Sequence, residues 1–136
     1  MSIQPITTSS SYTANRSWLA SLHGTDSTDT ITLDMSTLTA GTHYIASTES
    51  TQPYSRVLSG IPVGKITASG LYGLYATGAT DGRQDLAGFI FAEALFAPGQ
   101  AKVPAALLWH GSVITAKLPV AVTPVAPSAT CQIRFV

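Results

Sequence analysis

Asp81, Gly82, Arg83, Gln84 and Asp85 form the densest charged cluster in the chain. Asp81 and Asp85 could work as an acid–base pair, with the Arg83 guanidinium holding an anionic group beside them. The same run also reads as a turn: Asp81-Gly82 supplies the backbone geometry and Arg83 pairs with a nearby carboxylate. The turn reading is preferred, because Asp-Gly between apolar runs is a strong turn signal. Gly64-Lys65 has the look of a phosphate loop, but that motif needs a glycine at position 59 and a hydroxyl residue at 66. The chain has Ser59 and Ile66 there. Lys65 is therefore expected in a strand, with its stem packed and its ammonium at the surface.

Other reactive side chains are sparse. The only cysteine, Cys131, falls in the last apolar segment, and no G-x-S-x-G elbow is present, so a nucleophile has no recognisable setting. His23, His43 and His110 are far apart in sequence and lack metal-site spacing. They read as polar residues of loops or interfaces; convergence in space, or across a symmetry axis, stays open. No catalytic, cofactor or metal site is expected, and the chain is expected not to be an enzyme.

The elements around these residues are short. Segments 61–66, 71–75 and 86–92 are apolar and rich in β-branched and aromatic residues, with Gly, Ser, Thr and Asp between them. That pattern predicts strands joined by tight connections. Thr30-Ile31-Thr32-Leu33-Asp34-Met35 alternates cleanly and predicts a half-buried strand with Ile31, Leu33 and Met35 on one face. A short helical turn is expected near 36–40 and a further strand over 54–58. Segment 103–118 reads as a hairpin turning at His110-Gly111-Ser112, or as a short helix over 104–109 begun by Pro104. Residues 119–127 hold three prolines and should be extended. Residues 131–136 predict a final strand with Cys131, Ile133 and Phe135 on one face. The expected fold class is mainly β with few short helices.

Composition narrows the function further. Charged residues make up only 10% of the 136 residues, against roughly 25% in ordinary soluble domains. Little charge is available to keep copies apart, so the chain either assembles or covers itself with Ser and Thr. Net charge is zero and no basic stripe exists, so no nucleic-acid partner is expected. No polybasic or amphipathic membrane segment is seen, and the longest apolar stretch, 86–97, is broken by Glu93. The opening M-S-I-Q-P-I lacks the features of a secretory signal, and a single cysteine suits assembly in a reducing cytosol.

Residues 1–29 are polar but carry isolated anchors: Ile3, Ile6, Tyr12, Trp18, Leu19 and Leu22. They are read as an extended arm before a single domain at 30–136. The arm orders either on a partner or on its own domain. Trp18 is the foremost candidate contact, since a large aromatic in a polar arm is hard to place in a core. Trp109, with His110, is assigned to the core or a subunit interface.

The run P-V-G-K-I-T-A-S-G-L-Y-G-L-Y, then A-T-D-G-R-Q, then L-A-G-F-I-F, resembles the head decoration proteins of tailed bacteriophages, the lambda-type capsid-stabilising family. The likeness is greatest to the longer versions from phages of actinobacteria. It extends upstream through R-S-W-L-A-S-L-H-G and downstream through A-L-L-W-H-G and A-K-L-P, covering roughly residues 16–119. The central P-x-G-K and D-G-R-Q elements weigh most. The resemblance implies a small β-clip or β-tulip domain. It further implies a homotrimer on the major capsid protein, at three-fold and quasi-three-fold positions outside the expanded head. The N-terminal arm would touch the capsid, Asp81-Gly82-Arg83 would be a structural turn, and the protein would be made in the host cytoplasm and end in the virion. A carbohydrate- or cell-surface-binding β module is the alternative, supported by the Ser/Thr-rich, aromatic-bearing composition. A nucleotide hydrolase on a similar trimeric scaffold rests on fold analogy alone.

Overall fold

The computed structural model describes residues 15–47 and 54–136. The protein is mainly β, as the alternating and short apolar segments predicted. Strands β1 (Asp29–Asp34), β4 (Pro62–Lys65), β5 (Tyr72–Leu74), β6 (Gly88–Ile90) and β8 (Lys102–Leu108) close into a barrel in the order β1-β5-β4-β6-β8. All neighbours in it are antiparallel except β1 and β5, which meet in parallel at Leu33 and Tyr72. β2 (Tyr44–Ile45), β3 (Ser55–Val57) and β7 (Ala94–Phe96) form a second sheet. β9 (His110–Val113) pairs in parallel with β10 (Gln132–Phe135).

β1 follows its alternation: Ile31 and Leu33 point inward, as does Met35 just beyond the strand. The strand stops because Asp34 turns the chain, its carboxylate accepting the Ser36 N–H at 3.0 Å and capping a 3₁₀ turn at Met35–Thr37. This is the short helical turn expected near 36–40, placed slightly earlier. β6 and the end of β8 do not alternate because both of their faces are covered. Ile90 and Leu107 face the barrel core with Leu33, Val63 and Val103. Their neighbours Phe89 and Leu108 face a second core with Trp18, Val113 and Ile133.

That second core corrects the reading of Trp18. Its side chain is fully buried, not displayed to a partner. The indole N–H donates to the Asn15 carbonyl and the Ser59 hydroxyl, both at 3.1 Å, and the ring lies 5.9 Å from that of Phe89. The polar segment around Trp18 is held by backbone pairing that its composition did not reveal. Leu19 bridges to Val113, the Ala20 N–H donates to Ser112 O at 3.1 Å, and the Ile114 N–H donates to Trp18 O at 2.6 Å. Glu93, which breaks the long apolar stretch, belongs to the same arrangement: its nearly buried carboxylate takes Arg16 at 3.1 Å. Of the arm expected over residues 1–29, residues 15–28 therefore lie against the domain. Ile3, Ile6 and Tyr12 lie outside the described residues.

The hairpin expected over 103–118 does not form, nor does a helix over 104–109. β8 pairs with β1 and β6, while β9 pairs with β10. Only Trp109 separates β8 from β9, and a two-residue loop is the shortest common hairpin connection. The chain instead changes sheets at that residue. The final strand keeps its expected face, with Cys131 and Ile133 buried. Of the segment 119–127 expected to be extended, residues 119–120 bend and residues 121–127 have no regular structure.

His43 is buried where β2 meets β3. Its Nδ1 accepts the Thr39 N–H at 2.8 Å, and its carbonyl accepts the Leu58 N–H at 3.1 Å. Burial holds its pKa below the usual histidine value of 6.5. Below pH 6.5 the unfolded chain binds the proton more readily than the folded one, so stability present above pH 6.5 is lost on acidification. The urea midpoint is expected to fall between pH 7.5 and pH 5.5, and the fall to be shallower in His43→Gln. An equal fall in the two proteins would contradict this role for His43.

Candidate functional site

β4 has β5 on one side and β6 on the other. The chain makes the β4–β5 hairpin first, so the connection from β5 to β6 must pass over β4. It does so through residues 81–85, and the sequence prepares the crossing with glycines. Gly64 on β4 and Gly73 on β5 are direct cross-strand partners. A Cβ on Gly64 would lie 2.7 Å from the Arg83 Cα and 2.8 Å from the Asp85 carbonyl oxygen; one on Gly73 would lie 2.8 Å from the Arg83 Cδ. Two missing side chains thus leave a trough in the sheet surface, and Arg83 lies in it.

The crossing segment is held at both sides. The Thr67 N–H donates to Asp81 O at 3.0 Å, and the Ala76 N–H donates to Arg83 O at 3.1 Å. Gly82 adopts φ +115°, and a Cβ there would strike the Lys65 carbonyl oxygen, so the residue must be glycine. Asp81 accepts the Arg83 backbone N–H at 3.2 Å and its Nε–H at 3.0 Å. The Arg83 backbone N–H first, and its guanidinium next, hold the Asp81 carboxyl below the ordinary aspartate value. Asp81 and Arg83 thus satisfy one another within a turn.

Beside this crossing lies a cleft of about 470 Å³. Asp29, Lys65, Thr67, Tyr72, Asp85 and Trp109 are among its lining residues. Lys65 is exposed on its strand, and Trp109 is anchored by its indole N–H to the Ser27 carbonyl at 2.9 Å. Two aromatic rings with carboxylate, ammonium and hydroxyl groups can hold a polar ligand that has an apolar face. Sequence spacing concealed this grouping, since it draws on β1, β4, β5 and β8–β9.

The histidines are likewise rearranged by the fold. His23 and His110 converge, with Nε2 atoms 3.3 Å apart, while His43 sits in its own buried position. The sequence showed no pair because the convergence is made by glycine contacts between the turn at Gly24 and the distant start of β9. Cys131 is buried, and burial pushes its thiol pKa up, which leaves it a poor nucleophile. Of the candidate arm contacts, Leu19 is half-buried against the second core. Leu22 is 79% exposed.

Gly64→Ala should destabilise the fold by about 1–3 kcal/mol, because backbone atoms must shift to admit the methyl group. Gly78→Ala is the comparison: a Cβ there meets nothing within 4 Å, and the change should stay within about 0.5 kcal/mol. Denaturant unfolding of both variants measures the difference, and equal stabilities would refute the trough.

Comparison of the chain with family profiles, with curated proteins and with solved structures returned no match.

Proposed function

We propose that this chain is a structural virion protein that binds the outside of an expanded phage head as a trimer, at three-fold and quasi-three-fold positions, and holds the shell against internal DNA pressure. The observation that carries the reading is the crossing at Gly64. P-V-G-K is β4 itself, and D-G-R-Q is the segment laid across it. The two motifs that weigh most in the resemblance to head decoration proteins are thus one packed unit. Their joint presence follows from a single structural requirement, and it is on this one unit that the reading rests. The β-clip or β-tulip designation belongs to the same reading.

The surface suits a protein that lies against others. Ile45, Arg56 and Leu95 stand in one cross-strand row on the β2–β3–β7 sheet. Ile45 and Leu95 are exposed, as is Tyr54 beside them. With Leu22 they offer apolar area to neighbouring subunits or to the capsid protein. The physical mechanism is mass action: a protein that binds the assembled shell and not its dissociated subunits stabilises the shell.

The cleft beside the crossing favours a second reading, a carbohydrate- or cell-surface-binding module. Tyr72 and Trp109 present aromatic surface next to Asp29, Asp85, Lys65 and Thr67, the combination that stacks on a sugar ring and bonds its hydroxyls.

Co-sedimentation decides between them. Purified protein is mixed with expanded, undecorated heads of the source phage and with unexpanded proheads. Saturable binding to expanded heads alone, in multiples of three per site, is expected. Binding to neither particle would overturn the capsid reading for that head, and saturable binding to a glycan array in the same preparation would establish the module.

A further inference from the structure

The geometry points to a metal site: His23 and His110 form a two-histidine chelate for a divalent transition metal such as Zn²⁺. Their Nε2 atoms are 3.3 Å apart. Zinc binds imidazole nitrogen at about 2.0–2.1 Å, so two ligands at a tetrahedral angle stand about 3.3–3.4 Å from each other. The separation already present is the one a metal requires. The rings meet edge to face, 70° apart with centroids at 4.5 Å. A bound ion needs them about 5 Å apart, so the pair opens by less than an ångström on loading.

The pair is built by the backbone. Each histidine precedes a glycine, and each glycine packs on the other histidine's carbonyl. A Cβ on Gly24 would strike the His110 carbonyl oxygen, and one on Gly111 would lie 2.7 Å from that of His23. Gly24 also needs φ +83°, which a side chain disfavours. This reciprocal contact sets the two imidazoles side by side across a long stretch of sequence. Trp109 restrains one of them further, its ring stacked on His110 at 5.5 Å and 30°.

Without a metal, one Nε2 can donate to the other when the tautomers allow it, at a distance long for such a bond. A metal accepts a lone pair from each nitrogen whatever the tautomers were before it bound. An imidazole pair suits Zn²⁺, Cu²⁺ or Ni²⁺; Mg²⁺ and Ca²⁺ prefer oxygen ligands. No cluster of three or more metal-ligating side chains occurs among the described residues. The remaining coordination positions lie on the solvent side, where His23 is exposed. The site stands independently of any capsid or glycan binding.

The test is calorimetric titration of Zn²⁺ into the metal-free full chain at pH 7.5, with His23→Gln and His110→Gln alongside. One Zn²⁺ per chain is expected, with affinity reduced at least about tenfold in each variant and weakened on acidification, as protons compete for the nitrogens. Cu²⁺ should quench tryptophan emission in the parent through Trp109, and do so far less in the variants. Replacing the exposed His23 leaves the core untouched, and circular dichroism verifies its fold. Absence of saturable Zn²⁺ binding, or undiminished binding in both folded variants, would overturn the proposal.

Discussion

The crossing of β4 by residues 81–85 is the constraint on which the rest of the structure depends. β5 and β6 lie on opposite sides of β4, and the barrel closes only if the chain passes from one to the other. A connection over a sheet normally rides on side chains. Here it rides on backbone, because Gly64 and Gly73 face one another and present none. Close approach lets the crossing segment bond to Thr67 and Ala76 on either side of the hairpin. The chain then enters β6, where the Ala87 N–H reaches Val63 O at 2.8 Å. From there β8 pairs with both β6 and β1 and completes the ring.

Much of this architecture was legible in the sequence wherever one face of a strand is buried and the other wet. β1 is the clearest case, since Ile31, Leu33 and Met35 alternate with hydroxyl and carboxyl residues. The apolar segments at 61–66, 71–75 and 86–92 each contain a barrel strand. Legibility failed where the determining contact is long-range. Trp18 sits among polar residues, yet a bridge to β9 and a hydrogen bond to Ser59 take it into the core. Segment 103–118 has the composition of a hairpin, but its partners are the distant β1, β6 and β10. β7 was hidden because Glu93 interrupts the apolar run, and only the structure shows that this carboxylate is there for Arg16.

The residues that could do chemistry divide along the same line. The charged run 81–85 read as a turn, and it is one, with Asp81 and Arg83 bonded to each other in the crossing. His23 and His110 looked unrelated by spacing and are neighbours in space. Local sequence thus showed the first group and hid the second. In both cases glycine backbones set the geometry, at Gly64 and Gly73 for the crossing and at Gly24 and Gly111 for the histidines. The surfaces left after these demands are the Ile45–Arg56–Leu95 row on the small sheet and a mixed aromatic–polar cleft.

Native-state hydrogen exchange at Thr67 and Ala76 tests the central claim most directly, because their amides bond to the crossing segment itself. If the crossing is integral to barrel closure, both amides exchange only through global unfolding, with the same opening free energy and denaturant dependence as Val63 and Ile90 in the core. If they exchange through a low-energy local opening while the core amides stay protected, the segment is a peripheral loop and the barrel does not depend on it.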